Sequence, residues 1–534
     1  MSLGFLNIVL HAHLPYVRHP EHARFFEENW LFEAITECYL PLLNMLERLQ
    51  RDQIDFRLTL SLSPPLLTML NDNLLQQRYV NYLASRIELA EREVVRTQHH
   101  PEFNRLAKLY RRLFRSSLDR YTEHYQGDLI SAFKRHHQHG TLELITSAAT
   151  HGFLPLLNIN AAAVSNQINV GVDTFKQLLG FNPTGFWLPE CGYYPGLEIL
   201  LKAAGISYFF VDTHSILHAS DLPQRGSYAP LDCGNHVMAF ARDPESSQQV
   251  WCSKQGYPGD FDYREYYRDI GFDLDLEYIA PYLPNTDNRC NTSIKYYRVT
   301  GLDSHKEIYQ PHIALAKARK HAADFVNKRQ QQLAQQADNL DRPPLINAPY
   351  DAELFGHWWF EGPYWLEQVL RLTAAKDSNL KTISAREYLQ NYPDQQCAQP
   401  SASTWGDQGY SSYWINQNND WIYPLLQQAS TQMETFVTEL SGLSVNHLQE
   451  RALNQAVRSI LLAQASDWPF IMQSGTTVEY ANKRITDYLA RFNYLYTSVR
   501  QGKIDERYLS ALEIMDNIFP EINFRNYCPG SFEQ

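Results

Sequence analysis

Cysteine is scarce in this chain. Seven are scattered over 534 residues, Cys38, Cys191, Cys233, Cys252, Cys290, Cys397 and Cys528, and none forms a C-x-x-C pair. Zinc-ribbon spacing is therefore absent, no disulfide framework is expected, and reduced thiols in a cytoplasmic protein fit the pattern. No apolar stretch is long enough to span a bilayer. The opening MSLGFLNIVLHAHLP lacks a basic n-region and a small-residue cleavage site, so it reads as a first buried strand and not as a signal peptide. Basic runs are missing too, and the net charge is −12. That balance argues against nucleic acid or an anionic membrane as partner and suits a neutral substrate. There is no internal repeat and no low-complexity segment.

Aromatic residues, by contrast, are plentiful: 13% of the chain, with 33 Tyr and 10 Trp. Several stand beside Gly and Pro in loop-like stretches, which points to a stacking surface as well as a core. A chain of 534 residues is too long for one compact core and implies two or three domains.

Short apolar runs read as buried strands at residues 6–10, 56–62, 142–146, 185–188, 208–212, 237–241 and 344–348. Helical spacing lies between them, for example over 39–51 and 196–204. Buried strands alternating with helices predict a parallel α/β sheet or barrel. In such barrels the active site gathers at the C-terminal strand ends. His11, His13, His151, Glu190, His214 and Asp351 all fall there. The expected organisation is a catalytic barrel over residues 1–414, with a helical insertion at about 70–140 and a loop-rich segment at about 216–300, followed by a C-terminal helical domain over 415–534.

Two stretches carry the chemistry. Glu190 lies in Phe186-Trp-Leu-Pro-Glu-Cys-Gly-Tyr193, where Pro189 ends the strand and presents the carboxylate at the barrel mouth. Asp351 lies in Tyr350-Asp-Ala-Glu-Leu-Phe-Gly-His-Trp-Trp359, just past an apolar strand. Two carboxylates among aromatic rings suit glycosidic-bond chemistry: one attacks the anomeric carbon and the other protonates the leaving oxygen. Burial beside aromatics would raise the Asp351 pKa towards that of a general acid, although Asp before Ala-Glu-Leu is also a good helix cap, and Glu353 is a rival acid. His11 and His13 alternate on one strand and share a face. They can bind a sugar hydroxyl, orient Glu190, or ligate a metal with His151 and Asp351. Arg242-Asp243 ends another strand and is either a surface ion pair or a cleft group. Asp467-Trp468 interrupts a helix and either reaches back to the site or caps it. Trp405 and Trp414 sit in Gly/Ser-rich loops as candidate platforms, and Trp30 is similar.

Taken together, His11-Ala-His13-Leu-Pro15, Trp187-Leu-Pro-Glu190-Cys-Gly-Tyr193, Phe240-Ala-Arg242-Asp243, Tyr350-Asp351 through Trp359 and Ala465-Ser-Asp467-Trp468 resemble the ordered motifs of glycoside hydrolase family 57. The Gly-His-Trp-Trp extension and helical C-terminal region look most like its α-1,4-glucan branching enzymes. The resemblance implies an incomplete (β/α)7 TIM-like barrel and a retaining mechanism, with Glu190 as nucleophile and Asp351 as acid/base. It implies an α-glucan partner and no metal or other cofactor. It places His11, His13, Asp243 and Asp467 in the cleft, with Trp30, Trp405 and Trp414 as sugar platforms; His151, Trp358 and Trp468 complete the expected substrate-binding set. A loop with a Tyr over the cleft is also implied, for which the chain offers Tyr228 and Tyr257. Such a lid keeps water from the glycosyl-enzyme. The alternatives are an α-amylase-type hydrolase or 4-α-glucanotransferase of the same family, a metal-dependent carbohydrate hydrolase or deacetylase, and a catalytically silent glucan-binding protein.

Overall fold

The structure, a computed structural model, describes residues 3–252, 256–284, 289–301 and 305–527. Cys528 and parts of the loop-rich segment lie outside the described residues. Among the described residues no two cysteines form a disulfide.

Among the described residues ten strands form one sheet: β1 (Gly4–Ala12), β2 (Leu58–Leu62), β3 (Leu142–Ser147), β4 (Gly185–Trp187), β5 (Tyr208–Val211), β6 (Leu231–Asp232), β7 (Met238–Ala241), β8 (Leu345–Asp351), β9 (Leu380–Thr382) and β10 (Gln396–Cys397). Seven of them run parallel in the order β7-β5-β4-β3-β2-β1-β8. Every residue of β2, β3 and β5 is buried, as expected of strands covered on both faces by helices. β6 pairs antiparallel to β7 and parallel to β10, so it extends one edge. Just past β7, the Asp243 N–H donates to the Asn347 carbonyl of β8 at 2.8 Å. This bond links the two ends of the parallel run, which is an incomplete (β/α)7 barrel.

All seven parallel strands coincide with the apolar runs of the sequence. Between β2 and β3 the chain inserts helices Pro64–Leu70, Asn73–Arg96, Pro101–Asp119 and Leu129–Gln138, the helical layer expected there. Beyond residue 415 come helices Ile422–Glu439, His447–Ala463, Asp467–Ser474, Val478–Gln501 and Glu506–Met515. Asn446 and Gln449 form a capping box that starts the second of these.

Register aligns the site. His11 of β1 lies opposite Ser61 of β2 on one side and Asp351 of β8 on the other. One local feature escaped the sequence reading. The helix after β1 changes to a π-turn at Ile35–Tyr39. Its extra residue turns Glu37 towards His357 (2.9 Å) and the Tyr39 hydroxyl onto Glu353.

Candidate active site

Glu190 follows β4 in a single 3-10 turn, Pro189–Cys191, with φ of +61°. His151, after β3, also has positive φ, at +58°. A non-glycine residue held this way costs about 1–3 kcal/mol, which the surrounding contacts must offset. They do so around Glu190: its carbonyl accepts the Trp405 N–H at 3.0 Å, its Oε2 accepts the Trp405 indole Nε1–H at 2.9 Å, and its Oε1 accepts the Ser466 hydroxyl at 3.0 Å. Burial pushes the Glu190 carboxyl up to about 7; the nearby Asp467 charge adds to this, while the Trp405 and Ser466 hydrogen bonds and His13 pull it back.

Asp351 ends β8 and starts the turn Ala352–Leu354, but its side chain makes no cap. Among the described residues none hydrogen-bonds its carboxyl. Burial, then the charges of Glu353 and Glu190, hold its pKa well above the usual carboxylate range, against Arg242. Glu353 is also raised, to about 7, chiefly by burial. Its Oε1, however, accepts both the Tyr39 hydroxyl and the His13 N–H (3.2 Å), so it is held in place by donors. Of the two, Asp351 is the carboxyl free to carry and release a proton.

The three histidines stack. His11 lies on Trp187 with centroids 4.5 Å apart, His151 lies 4.9 Å from His11, and His13 lies 4.0 Å from His151. Their ring nitrogens already have protein partners. His11 meets Ser61 (3.1 Å) and His151 (2.9 Å), His13 meets Ser63 (2.8 Å) and Asp467 (3.1 Å), and His151 meets Ser466 (2.8 Å). Among the described residues no group of three or more His, Cys, Asp or Glu is placed to hold a metal. Burial and the neighbouring His13 hold His11 and His151 far below their ordinary pKa, hence neutral. For His13 burial is outweighed by Asp467, Glu353 and Glu190, so its pKa rises above the ordinary imidazole value, and it takes a proton more readily than His11 or His151.

These elements assemble a strained, buried carboxylate with two donors, a free acidic partner, and an aromatic wall at the C-terminal end of a barrel. The family model for glycosyl hydrolase family 57 matches residues 7–400. The chain belongs to glycoside hydrolase family 57. The model for the C-terminal region of 1,4-alpha-glucan branching enzymes matches residues 425–527. A 1,4-alpha-glucan branching enzyme of Thermococcus kodakarensis is 32% identical, over 97% of this chain and 77% of that protein. Its crystal structure with glucose superimposes with a TM-score of 0.88 at 31% identity, covering 99% of this chain and 97% of that one. The α-amylase AmyC of Thermotoga maritima is 44% identical with a TM-score of 0.92, covering 99% of both chains.

Within this family-57 fold, some of the expected site residues are brought together and others are not. Glu190, Asp351, His11, His13, His151, Asp467 and Trp405 form one connected cluster. Asp243 is not part of it: its oxygens are taken by Gln332 Nε2 (2.6 Å), Arg329 (3.3 Å) and the Ser246 N–H (2.7 Å), which make it a buried helix cap. Its neighbour Arg242 faces the site instead, 3.5 Å from Asp212 and 5.8 Å from the Trp405 ring centroid. Arg242 and Asp212 line a cavity of about 270 Å³ shared with Trp251. Trp414 and Trp468 have no open face. The first is buried against Phe153 with centroids 4.8 Å apart, and the second is buried with its indole N–H on the Leu462 carbonyl. Trp30 is half-buried, edge-on to Tyr480 at 6.0 Å. Trp358 is 49% exposed and stacked on Tyr266 at 4.3 Å. Neither expected lid tyrosine covers the cleft. Tyr257 donates to Asp324 at 2.7 Å and Tyr228 accepts from Gln332 at 3.3 Å, so both pack against helix Pro311–Ala337.

Sequence reasoning gave no role to Ser466 or Tyr413, and it weighed Asp243 for the cleft where its neighbour Arg242 is the one that faces it. Tyr413 is close enough to Glu190 for the carboxylate, after burial, to raise the phenol pKa. No spacing rule could have found Ser466 or Tyr413, because the contacts that bring them to Glu190 join segments far apart in the chain. Trp405→Phe isolates one donor. Loss of a hydrogen bond to a charged group costs about 1.5–3 kcal/mol. A fall in kcat/KM of about 10–100-fold is expected, with the acid limb of the pH profile moved upward. An unmoved limb would mean that the indole N–H does not hold the carboxylate.

Proposed function

We propose that this chain is an α-1,4-glucan branching enzyme acting by a retaining, two-step transfer. Glu190 attacks the anomeric carbon while Asp351 protonates the departing 4-oxygen, giving a covalent β-glucosyl-enzyme. Asp351 then removes the proton from a 6-hydroxyl of a glucan chain, which attacks and forms an α-1,6 branch. His13, whose pKa is raised against burial by Asp467, Glu353 and Glu190, offsets the charge of this acidic cluster when protonated. Trp405 fixes the nucleophile and, with Trp251, offers ring surface to glucose units. The observation that carries this reading is that the segment similar to branching-enzyme C-terminal regions, residues 425–527, lends Ser466 to Glu190 and Asp467 to His13. A cytoplasmic role in glycogen synthesis is part of the same proposal; no helix among the described residues is long and apolar enough to cross a membrane.

A second reading has its own support. The 44% identical relative is an α-amylase, and neither Tyr228 nor Tyr257 covers the cleft. Water in place of the 6-hydroxyl would make the same carboxylates hydrolytic. The test is incubation with amylose and proton NMR of the product. The proposal expects new α-1,6 linkages to outnumber new reducing ends. A product dominated by reducing ends makes the protein an α-amylase with the same site.

A further inference from the structure

We propose that Ser61, His11, His151 and Ser466 form a hydrogen-bonded relay that sets the ionisation of Glu190, with Ser466 as the positioning residue at its end. The proposal rests on Glu190 being the nucleophile. Four contacts run in series. Ser61 Oγ lies 3.1 Å from His11 Nδ1, His11 Nε2 lies 2.9 Å from His151 Nε2, His151 Nδ1 lies 2.8 Å from Ser466 Oγ, and Ser466 Oγ lies 3.0 Å from Glu190 Oε1. All four relay side chains are buried, at 3% exposure or less.

Elementary donor and acceptor rules leave the chain one direction. An ionised carboxylate only accepts. Ser466 must therefore give its single hydrogen to Glu190, and its oxygen must accept from His151 Nδ1–H. A neutral imidazole carries one proton, so His151 Nε2 is bare and accepts from His11 Nε2–H. His11 Nδ1 is then bare in turn and accepts the Ser61 hydroxyl. With Glu190 protonated, every bond can reverse: Glu190 donates to Ser466, Ser466 to His151 Nδ1, His151 Nε2–H to His11, and His11 Nδ1–H to Ser61. Both directions satisfy all four bonds, and only Glu190 differs by a proton. A mixed state leaves two donors or two acceptors face to face, which is costly in a buried site. Ionising the nucleophile thus fixes the direction of the relay as far away as Ser61 on β2, whereas a protonated Glu190 leaves it free to turn.

The relay is drawn with both rings neutral, as burial and the neighbouring His13 hold them. A proton on His151 would give it donors at both nitrogens and leave His11 Nε2 to accept; it would then compete with His13 for the positive charge of the site. The other titratable groups near Glu190 are Asp467, His13, Asp351, Tyr413 and Cys191. None of them hydrogen-bonds a relay nitrogen or hydroxyl, so they set the field and not the direction. Ser466 comes from the C-terminal helical region and Ser61, His11 and His151 from the barrel. The chain of bonds therefore makes the docking of that region a condition for an ionised nucleophile.

The first test needs no variant. Neutron diffraction, or 15N NMR of histidine-labelled protein, at a pH where the enzyme is active should find His151 protonated on Nδ1 and His11 on Nε2. The opposite pair of tautomers overturns the relay. This readout is independent of turnover, so it stands apart from the nucleophile assignment, which fails separately if Glu190→Gln keeps its activity. The second test is the pH profile of kcat/KM on amylose. Ser466→Ala is expected to move the acid limb up by about one pH unit, and so to lose about tenfold one unit below it, while Ser466→Thr restores the parent limb. Ser61→Ala, which touches nothing in the substrate or in Glu190, should also displace the limb. A uniform loss of rate with a fixed limb in Ser466→Ala, or an unmoved limb in Ser61→Ala, rejects the relay.

Discussion

Glu190→Gln is expected to lower turnover of amylose by about 10⁴-fold or more, with glucan binding changed only a few-fold. The amide keeps the shape and most contacts of the side chain, but it cannot form the glycosyl ester. Turnover by a Glu190→Ala variant should be restored in part by azide, with β-glucosyl azide as product, because the small anion attacks from the face the carboxylate vacates. Azide product of the α configuration, or a Gln variant with a tenth of parental activity, would remove Glu190 from the nucleophile role. The same Gln variant should be the more stable protein at alkaline pH. Burial holds the Glu190 carboxyl near 7, above the 4.5 of an ordinary glutamate. A raised carboxyl pKa is a folding penalty that is absent below about pH 4, grows through the interval, and is complete above about pH 7. Differential scanning should therefore show a melting temperature a few degrees above the parent at pH 8, and no gain at pH 4. A gain of equal size at both pH values would point to something other than relief of a buried charge.

Asp351→Asn is expected to cost about 10²–10⁴-fold on amylose, the range of a general acid–base group. The loss should nearly vanish in the first step on a maltooligosaccharide with an aryl leaving group that departs without a proton. An equal loss on both substrates would falsify the acid role. The variant should also lose the alkaline limb of the pH profile. That limb arises because a proton must be present on Asp351, whose pKa stands well above the carboxylate range through burial and then the charges of Glu353 and Glu190. The acid limb, set by the need for an ionised Glu190, should survive in the residual rate. Glu353 shares the burial, but the Tyr39 hydroxyl and the His13 N–H hold it as an acceptor. Its amide variant should disturb the position of His13 and lose less than Asp351→Asn on the same substrate.

Much of this was legible along the chain. The seven parallel strands are short apolar runs that end in polar residues, and a parallel sheet buried on both faces must be written that way. His11, His151, Glu190 and Asp351 could be grouped because a barrel gathers its strand ends, whatever the helices between them do. The tryptophans were harder. Trp405 and Trp414 stand nine residues apart in the same kind of loop, yet one holds the Glu190 carboxylate and the other is buried on Phe153. Composition tells that a ring wants burial or a ligand, and it does not say which. The partners of Asp243 were illegible in the same manner, since only the position of helix Pro311–Ala337 brings Arg329 and Gln332 onto it.

What the sequence by itself determined is therefore the local grammar: which segments are strands, where each one stops, and which acid stands at each stop. Those are near-neighbour properties, fixed by side-chain periodicity, by proline and by burial of apolar runs. The tertiary structure decided which acids face one another, which of them keep a proton, and what holds them. Glu190 is tuned by Trp405, 215 positions away, and by Ser466, 276 positions away. A pKa and a hydrogen-bond direction depend on what surrounds a group in three dimensions, and that environment exists only once distant segments have packed.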